Sequence, residues 1–219
     1  MTKVVLIRHG RSTANAEGIL AGRAPGVPLD ETGRAQAVRL GELLAGTAIA
    51  GAFTSPVQRC RETATLAGFA SAEVVEGLSE CDYGAWTGPA SRRCAARRSG
   101  ATSRSPLEGD VPRGESMVEM FTRASTAVRD LAGRHGDGDT IVVFSHGDPI
   151  KAILADAFGM RLDDFQRLHV SPAGVSIIEF HHDRPLVVCI NAGGDLGSLL
   201  AARSAPTVGG ETSPNPRRL

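Results

Sequence analysis

The sequence predicts an α/β fold, a three-layer sandwich in which helices flank a mostly parallel central sheet. Short aliphatic and β-branched runs alternate along the chain with longer segments of helical periodicity. Such alternation is typical of parallel strands, because their connections are helices. The 219 residues are 42% hydrophobic but only 4% aromatic, which predicts one aliphatic core. We therefore expect a single domain over residues 1–200.

The first elements are a strand and an amphipathic helix. Lys3–Ile7 is a short β-branched run, which is typical of a strand buried on both faces. Leu29–Leu44 places its apolar side chains at helical spacing. Asp30 suits the start of this helix and Gly46 suits its end.

A second strand and helix follow directly. Ile49–Thr54 predicts a short strand. Ser55 and Pro56 then have the residue types of an N-cap and a first helical position. We expect this helix to run to about Ala67.

The second half of the domain repeats the alternation and ends in a hairpin. Ser116 and Glu119 form a capping box at the start of a third helix. Thr140–Phe144 is the clearest buried strand, and a fourth helix begins near Asp148. Two late strands add an antiparallel pair to the sheet. They are Ala173–Phe180 and Pro185–Ile190.

Two segments break the pattern. Residues 201–219 are rich in Pro and Gly, which predicts a disordered tail. Residues 89–113 are rich in arginine and lack helical or strand periodicity, so we expect an irregular surface insert. A local frameshift is the alternative. If residues 97–103 were encoded CGC-CGC-TCT-GGC-GCG-ACG-TCC, the frame offset by two bases would encode Pro-Leu-Trp-Arg-Asp-Val, an ordinary helix-like segment. Resequencing the gene separates the two hypotheses.

Composition and charge exclude several classes of protein. The formal net charge is zero, which disfavours binding to nucleic acid or to a membrane surface. The apolar run after Lys3 is too short for a signal peptide, and no run reaches membrane-spanning length. The four cysteines lack CxxC or metal-ligand spacing, and no His, Asp and Glu cluster suits a metal. We expect a cytoplasmic monomer or homodimer without metal or cofactor.

Polar side chains follow three of the predicted strands. Arg8 and His9 follow the first strand, Arg59 lies just beyond the second, and His146 follows Thr140–Phe144. Each junction alone is also typical of a polar turn. Parallel strands, however, deliver their carboxyl ends to one crevice, where helix N-termini favour an anion. Guanidinium groups bind phosphate oxygens and a neutral imidazole can attack phosphorus, so the repetition predicts a phosphate site.

With these junctions placed, the chain resembles the histidine phosphatase superfamily, the phosphoglycerate-mutase-like fold. The matching segments lie in order along the chain. They are Arg8–Asn15, Pro28–Ala37, Thr54–Ala64, Leu78–Gly88 and Ser145–Gly147. The resemblance implies the same α/β sandwich and phosphoryl transfer through a phosphohistidine.

The resemblance also implies a role for individual residues. His9 is the expected nucleophile, and Glu80 the proton donor that later activates water. Arg8, Arg59 and His146 are expected to neutralise the transferring phosphoryl group without a metal. Further phosphate- or substrate-binding candidates are less specific. They are Ser12, Asn15, Gly22 and Gly147.

Three functions follow from this resemblance. The first is a phosphomonoester hydrolase acting on a small phosphorylated metabolite. The second is a phosphomutase, and the third is a phosphate-binding protein that has lost turnover. Cys81 and Asp82 follow Glu80, where the glycolytic mutases carry a basic residue for a second anionic group. This departure favours the hydrolase.

Overall fold

The computed structural model describes residues 1–88, 113–181, 184–192 and 196–200. The predicted tail, 201–219, and all of the insert except Arg113 lie outside these residues. The strands are β1 (Thr2–Arg8), β2 (Gly51–Thr54), β3 (Glu73–Val74), β4 (Thr140–Ser145), β5 (Val175–Phe180) and β6 (Pro185–Ala192). The helices are α1 (Thr13–Glu17), α2 (Glu31–Leu44), α3 (Gln58–Leu66), α4 (Met117–Gly133), α5 (Gly147–Phe158) and α6 (Leu196–Leu200). Short 3₁₀ turns are Glu76–Leu78, Gly84–Trp86 and Leu162–Arg167.

The six strands form one sheet in the order β3-β2-β4-β1-β5-β6. β1, β2, β3 and β4 are parallel, while β5 pairs antiparallel with both β1 and β6. The mostly parallel sheet with a late antiparallel hairpin is thereby confirmed. The three strands that precede the predicted site residues, β2, β4 and β1, are direct neighbours. Their carboxyl ends therefore meet at one edge, with Arg8 in register with Ser145.

Each face of the sheet carries one apolar layer of the core. Val4 and Leu6 of β1 pack toward α4 and α5. Val5 and Ile7 pack on the opposite face, against α2 and α3. This division follows from the strand geometry, in which successive side chains point to opposite faces. The three-layer arrangement is therefore confirmed, and its most buried strands, β1 and β4, lead directly into the site.

Two predicted caps are confirmed and one is wrong. Asp30 caps α2 by accepting from the Gly33 N–H at 2.7 Å, and Ser116 begins α4 with a complete capping box. Ser55 does not cap α3, which begins only at Gln58 after Val57. The Ser55 hydroxyl is instead hydrogen-bonded to an imidazole of the site, as described below.

The elements missed by the sequence analysis are short. α1 and α6 have 5 residues each and β3 has 2. Such segments are shorter than the window in which hydrophobic periodicity becomes visible. No helix of the described residues has the length and apolar character needed to cross a membrane.

Candidate active site

His9 lies immediately after β1 and is 2% exposed. Its Nδ1 donates a proton to the Gly10 carbonyl at 2.7 Å, because a carbonyl can only accept. Nε2 then carries a lone pair and accepts from Arg59 Nε–H at 3.1 Å. Burial, followed by the charges of Arg59 and Arg8, lowers the pKa of His9 well below its usual value. His9 is thus a neutral imidazole whose Nε2 can act as a nucleophile.

His146 follows β4 and occupies the N-cap position of α5. Its ring centroid lies 5.2 Å from that of His9, with the two rings nearly edge to face. His146 Nε2 and the Ser55 hydroxyl share a hydrogen bond of 2.8 Å. Burial and then the Arg59 charge lower the pKa of His146 well below its usual value. This second imidazole is therefore also neutral.

Two arginines bring guanidinium groups to the same place. Arg59, on the first turn of α3, donates from Nη2 to the Gly22 carbonyl at 2.8 Å. Arg8, at the end of β1, donates from Nη1 to the Val170 carbonyl at 2.6 Å. Within the described residues, Arg59 Nη1 and Arg8 Nε are buried and have no hydrogen-bond partner. Unpaired buried donors are costly, so these N–H groups favour an anionic ligand.

Glu80 lies in an irregular segment between two 3₁₀ turns and is 8% exposed. Its Oε1 accepts from the Cys81 N–H at 3.0 Å. Burial and then the Asp148 charge raise the pKa of Glu80 to about 7, although Arg59 acts in the opposite direction. A carboxyl group with this pKa can donate a proton and accept one near neutral pH.

The site joins a neutral imidazole, two guanidinium groups and a carboxyl whose pKa is raised to about 7. The family model that describes the histidine phosphatase superfamily (branch 1) matches residues 4–193. The chain belongs to this superfamily.

Relatives of the chain include proteins named as mutases and proteins named as phosphatases. 2,3-Bisphosphoglycerate-dependent phosphoglycerate mutase 2 of Gloeobacter violaceus is 32% identical, over 93% of this chain and 92% of the relative. An acid phosphatase of Mycobacterium tuberculosis is 30% identical, over 82% of this chain and 87% of the relative. A phosphoserine phosphatase of Entamoeba histolytica in complex with phosphoserine shares the fold, with a TM-score of 0.77 at 24% identity. That match covers 88% of this chain and 98% of the other.

The remaining candidate residues hold parts of the site together. Ser12 and Asn15 form the capping box of α1, in which the Asn15 N–H donates to Ser12 Oγ at 3.2 Å and the Ser12 N–H donates to Asn15 Oδ1 at 3.1 Å. The Gly22 carbonyl accepts a hydrogen bond from Arg59. Gly147 begins α5 and lies beside the Arg8 guanidinium. These contacts assign scaffold roles, and direct phosphate binding by the four residues stays a prediction.

Glycine is required where the loop after His9 meets α2. A Cβ on Gly33 would lie 1.9 Å from the Arg11 carbonyl oxygen, and one on Gly10 would lie 2.5 Å from that of Gly33. The close approach keeps the two backbones in contact. The main chain next to His9 is therefore braced by α2.

Several polar residues around the site were missed by the sequence analysis. Tyr83 donates its hydroxyl proton to Asp148 at 2.8 Å, which places this carboxylate near Glu80. Arg23 and Arg123 bind the main chain that carries Glu80. Their contacts are between residues distant in sequence, so spacing along the chain contains no signal for them.

Within residues 1–88, 113–181, 184–192 and 196–200, no group of three or more His, Cys, Asp or Glu side chains is suited to a metal ion. The positive charge beside His9 comes from Arg8 and Arg59. Guanidinium groups can neutralise the equatorial oxygens of a transferring phosphoryl group, which is the task of Mg²⁺ in other enzymes.

Proposed function

We propose that the chain is a phosphomonoester hydrolase that transfers a phosphoryl group from a small phosphorylated metabolite to His9 and then to water. The observation that carries this proposal is the state of His9. Its Nδ1–H is bonded to Gly10, so the lone pair lies on Nε2, beside the buried unpaired donors of Arg59 and Arg8. Nucleophile and phosphate-binding groups thus occupy one place.

In the first step, His9 Nε2 attacks phosphorus. Before the attack, the Arg59 Nε–H must leave His9 Nε2, to which it donates in the structure. It then donates to a phosphate oxygen, as the other guanidinium N–H groups do. As the N–P bond forms, the P–O bond to the alcohol breaks. The Glu80 carboxyl gives its proton to the departing oxygen, which leaves as a neutral alcohol.

In the second step, the Glu80 carboxylate accepts a proton from water. The water oxygen attacks phosphorus, the N–P bond breaks, and inorganic phosphate leaves. His9 returns to its neutral form and Glu80 to its protonated form. The pKa of Glu80, raised to about 7, suits both roles because each protonation state is accessible near neutral pH.

The surroundings of Glu80 support a hydrolase over a phosphomutase. Cys81 is buried and its thiol donates to the Glu115 carbonyl, while Asp82 Oδ1 accepts from the Gly84 N–H. Neither side chain offers positive charge to a second phosphate or carboxylate. The phosphomutase remains the second candidate because a relative of comparable length and 32% identity is named as a mutase.

Trapping of the intermediate tests the proposal. A panel of ³²P-labelled phosphomonoesters is mixed with the enzyme, quenched in alkali, and assayed for acid-labile labelled protein. We expect label in the wild type, its absence in His9→Ala, and release of free phosphate. Isomer exchange in place of release would indicate the mutase. Absence of label with every substrate would indicate a phosphate-binding protein that has lost turnover, and would contradict the proposal.

The cellular location and the oligomeric state of the protein do not follow from the proposed reaction. The cytoplasmic location and the monomeric or homodimeric state remain predictions from the sequence. The same applies to the expected absence of a cofactor and to the expected independence from divalent metal, which assay in the presence of a chelator tests.

A further inference from the structure

Side chains from distant parts of the protein hold the main chain that leads to Glu80. Four consecutive carbonyl groups, from Gly77 to Glu80, each accept a hydrogen bond from such a side chain. The donors are Arg123 to Gly77 (2.8 Å) and Ser79 (3.1 Å), Ser145 to Leu78 (2.8 Å), and Arg23 to Glu80 (2.7 Å). The position of the Glu80 backbone therefore depends on these donors.

A single carboxylate orients both arginines. Glu115 Oε1 accepts from Arg123 Nε at 2.7 Å, and Oε2 accepts from Arg123 Nη2 at 2.8 Å. The same Oε2 accepts from Arg23 Nη2 at 2.8 Å. The Glu115 side chain is only 14% exposed, and bidentate charge-assisted bonds fix geometry strongly. We call Glu115, Arg23 and Arg123 the Glu115 clamp.

The clamp also contacts the chain on the other side of Glu80. The Glu115 N–H donates to the Asp82 carbonyl at 2.8 Å. The Cys81 thiol donates to the Glu115 carbonyl at 3.6 Å. The main chain is thus held on both sides of Glu80. Arg23 and Arg123, which Glu115 orients, bind it at Glu80 and before it, and the Glu115 backbone binds Cys81 and Asp82 after it.

The clamp connects to the phosphate-binding side through two consecutive residues. Arg23 binds the Glu80 carbonyl, and its neighbour Gly22 accepts from Arg59 Nη2 at 2.8 Å. One short loop therefore contacts both the cation beside His9 and the chain that carries the acid. The spacing between nucleophile and proton donor is set across this loop.

We infer that Glu115 is a positioning residue, which acts through Arg23 and Arg123 to hold the Glu80 carboxyl at the leaving oxygen. The inference rests on the proposed function, in which Glu80 is the proton donor. Its consequence is selective, since a displaced acid affects substrates that need a proton far more than substrates that do not. A misplacement of about 1 Å can lower a rate by about 100-fold.

The experiment compares alkyl phosphates with p-nitrophenyl phosphate, whose phenolate leaves without a proton. In Glu115→Gln, we expect kcat/KM for the alkyl substrate to fall by about 100-fold. The nitrophenolate burst in the first turnover is expected to remain near the wild-type rate. Glu115→Asp keeps the charge and is expected to restore part of the alkyl activity. Glu73→Gln is the matched control, because it breaks a bidentate pair with Arg134 on the surface.

Glu80→Gln, measured in parallel, distinguishes a failure of the Glu115 clamp from a failure of the proposed function. Equal losses for both substrates in Glu115→Gln, with a selective loss in Glu80→Gln, would overturn the clamp and leave the proposed function intact. A non-selective Glu80→Gln would overturn both. If Glu115→Gln does not fold, Arg23→Gln takes its place, because the Arg23 side chain is 38% exposed and more tolerant of change. Wild-type selectivity in that variant would overturn the clamp.

Discussion

The two sides of the active site are built in different ways. On the side of the proposed nucleophile, called the nucleophile side, the residues His9, Arg8 and His146 come from the ends of adjacent strands in the middle of the sheet. On the acid side, Glu80 lies in an irregular segment that is held by side-chain bonds from Arg23 and Arg123. The first arrangement depends on the apolar core, and the second on a few partly exposed ion pairs.

This difference separates the tasks of the two sides. Attack on phosphorus needs rigid placement of cations and a lone pair, which neighbouring strands supply. Proton transfer needs a carboxyl whose pKa lies near the working pH, which burial and nearby charge supply. We therefore expect substitutions on the nucleophile side to affect all substrates alike. Substitutions on the acid side are expected to discriminate between leaving groups.

Of the substitutions Arg59→Lys, Asp148→Asn and Ser116→Ala, the largest effect is expected for Arg59→Lys. Lysine keeps the charge but loses the planar fork that reaches both His9 and the Gly22 carbonyl. We expect kcat/KM to fall by about 10²–10³-fold for alkyl and aryl phosphates alike. Arg61→Lys is the control, because Arg61 is exposed on the same helix. A loss confined to alkyl phosphates would contradict the division between the two sides.

An intermediate effect is expected for Asp148→Asn, measured as a pH profile. Glu80 must be protonated to donate, so alkyl activity falls as the pH rises through its pKa of about 7. The Asp148 charge raises this pKa, and its removal lowers it. The falling limb is therefore expected at lower pH in the variant. Asp156→Asn, on the same helix and paired with Arg129, is expected to leave the limb in place. An unchanged limb in Asp148→Asn would contradict this electrostatic account.

The smallest effect is expected for Ser116→Ala at the start of α4. The Ser116 hydroxyl accepts from the Glu119 N–H, and α4 carries Arg123 to the acid side. Loss of the cap is expected to lower the free energy of unfolding by about 1 kcal/mol, as urea denaturation measures it. Thr122→Ala, on the exposed side of α4, serves as the control. Equal stability of the Ser116→Ala variant and the wild type would show that the cap is dispensable.

The nucleophile side was the more predictable of the two from sequence. Val4–Ile7 and Ile141–Phe144 are apolar because both strands are buried, and the polar residues that follow stand out against them. Three such junctions on neighbouring parallel strands predicted convergence, and the sheet order places them together. Caps at Asp30 and Ser116 were predictable because they depend on residues three positions apart.

The acid side was not predictable from local pattern. Glu80 has no periodic neighbours, and only the resemblance to the superfamily distinguished it from other glutamates. Arg23 binds the Glu80 carbonyl from 57 positions away in the sequence. Arg123 binds the carbonyl of the preceding residue, Ser79, from 44 positions away. The wrong cap at Ser55 has a similar cause, since its hydroxyl binds His146, 91 positions away, where the local pattern indicated a helix start.

The most direct test of the account is a rapid-mixing measurement on Glu80→Gln with p-nitrophenyl phosphate. The account predicts a burst of one nitrophenolate per site, because phosphorylation of His9 needs no proton from Glu80 for this leaving group. A slow steady state follows, because water then lacks its base. For alkyl phosphates, the first step is expected to fall by about 10²–10⁴-fold. Equal losses in the first step for alkyl and aryl substrates would contradict the account and direct attention to Asp82 as the acid.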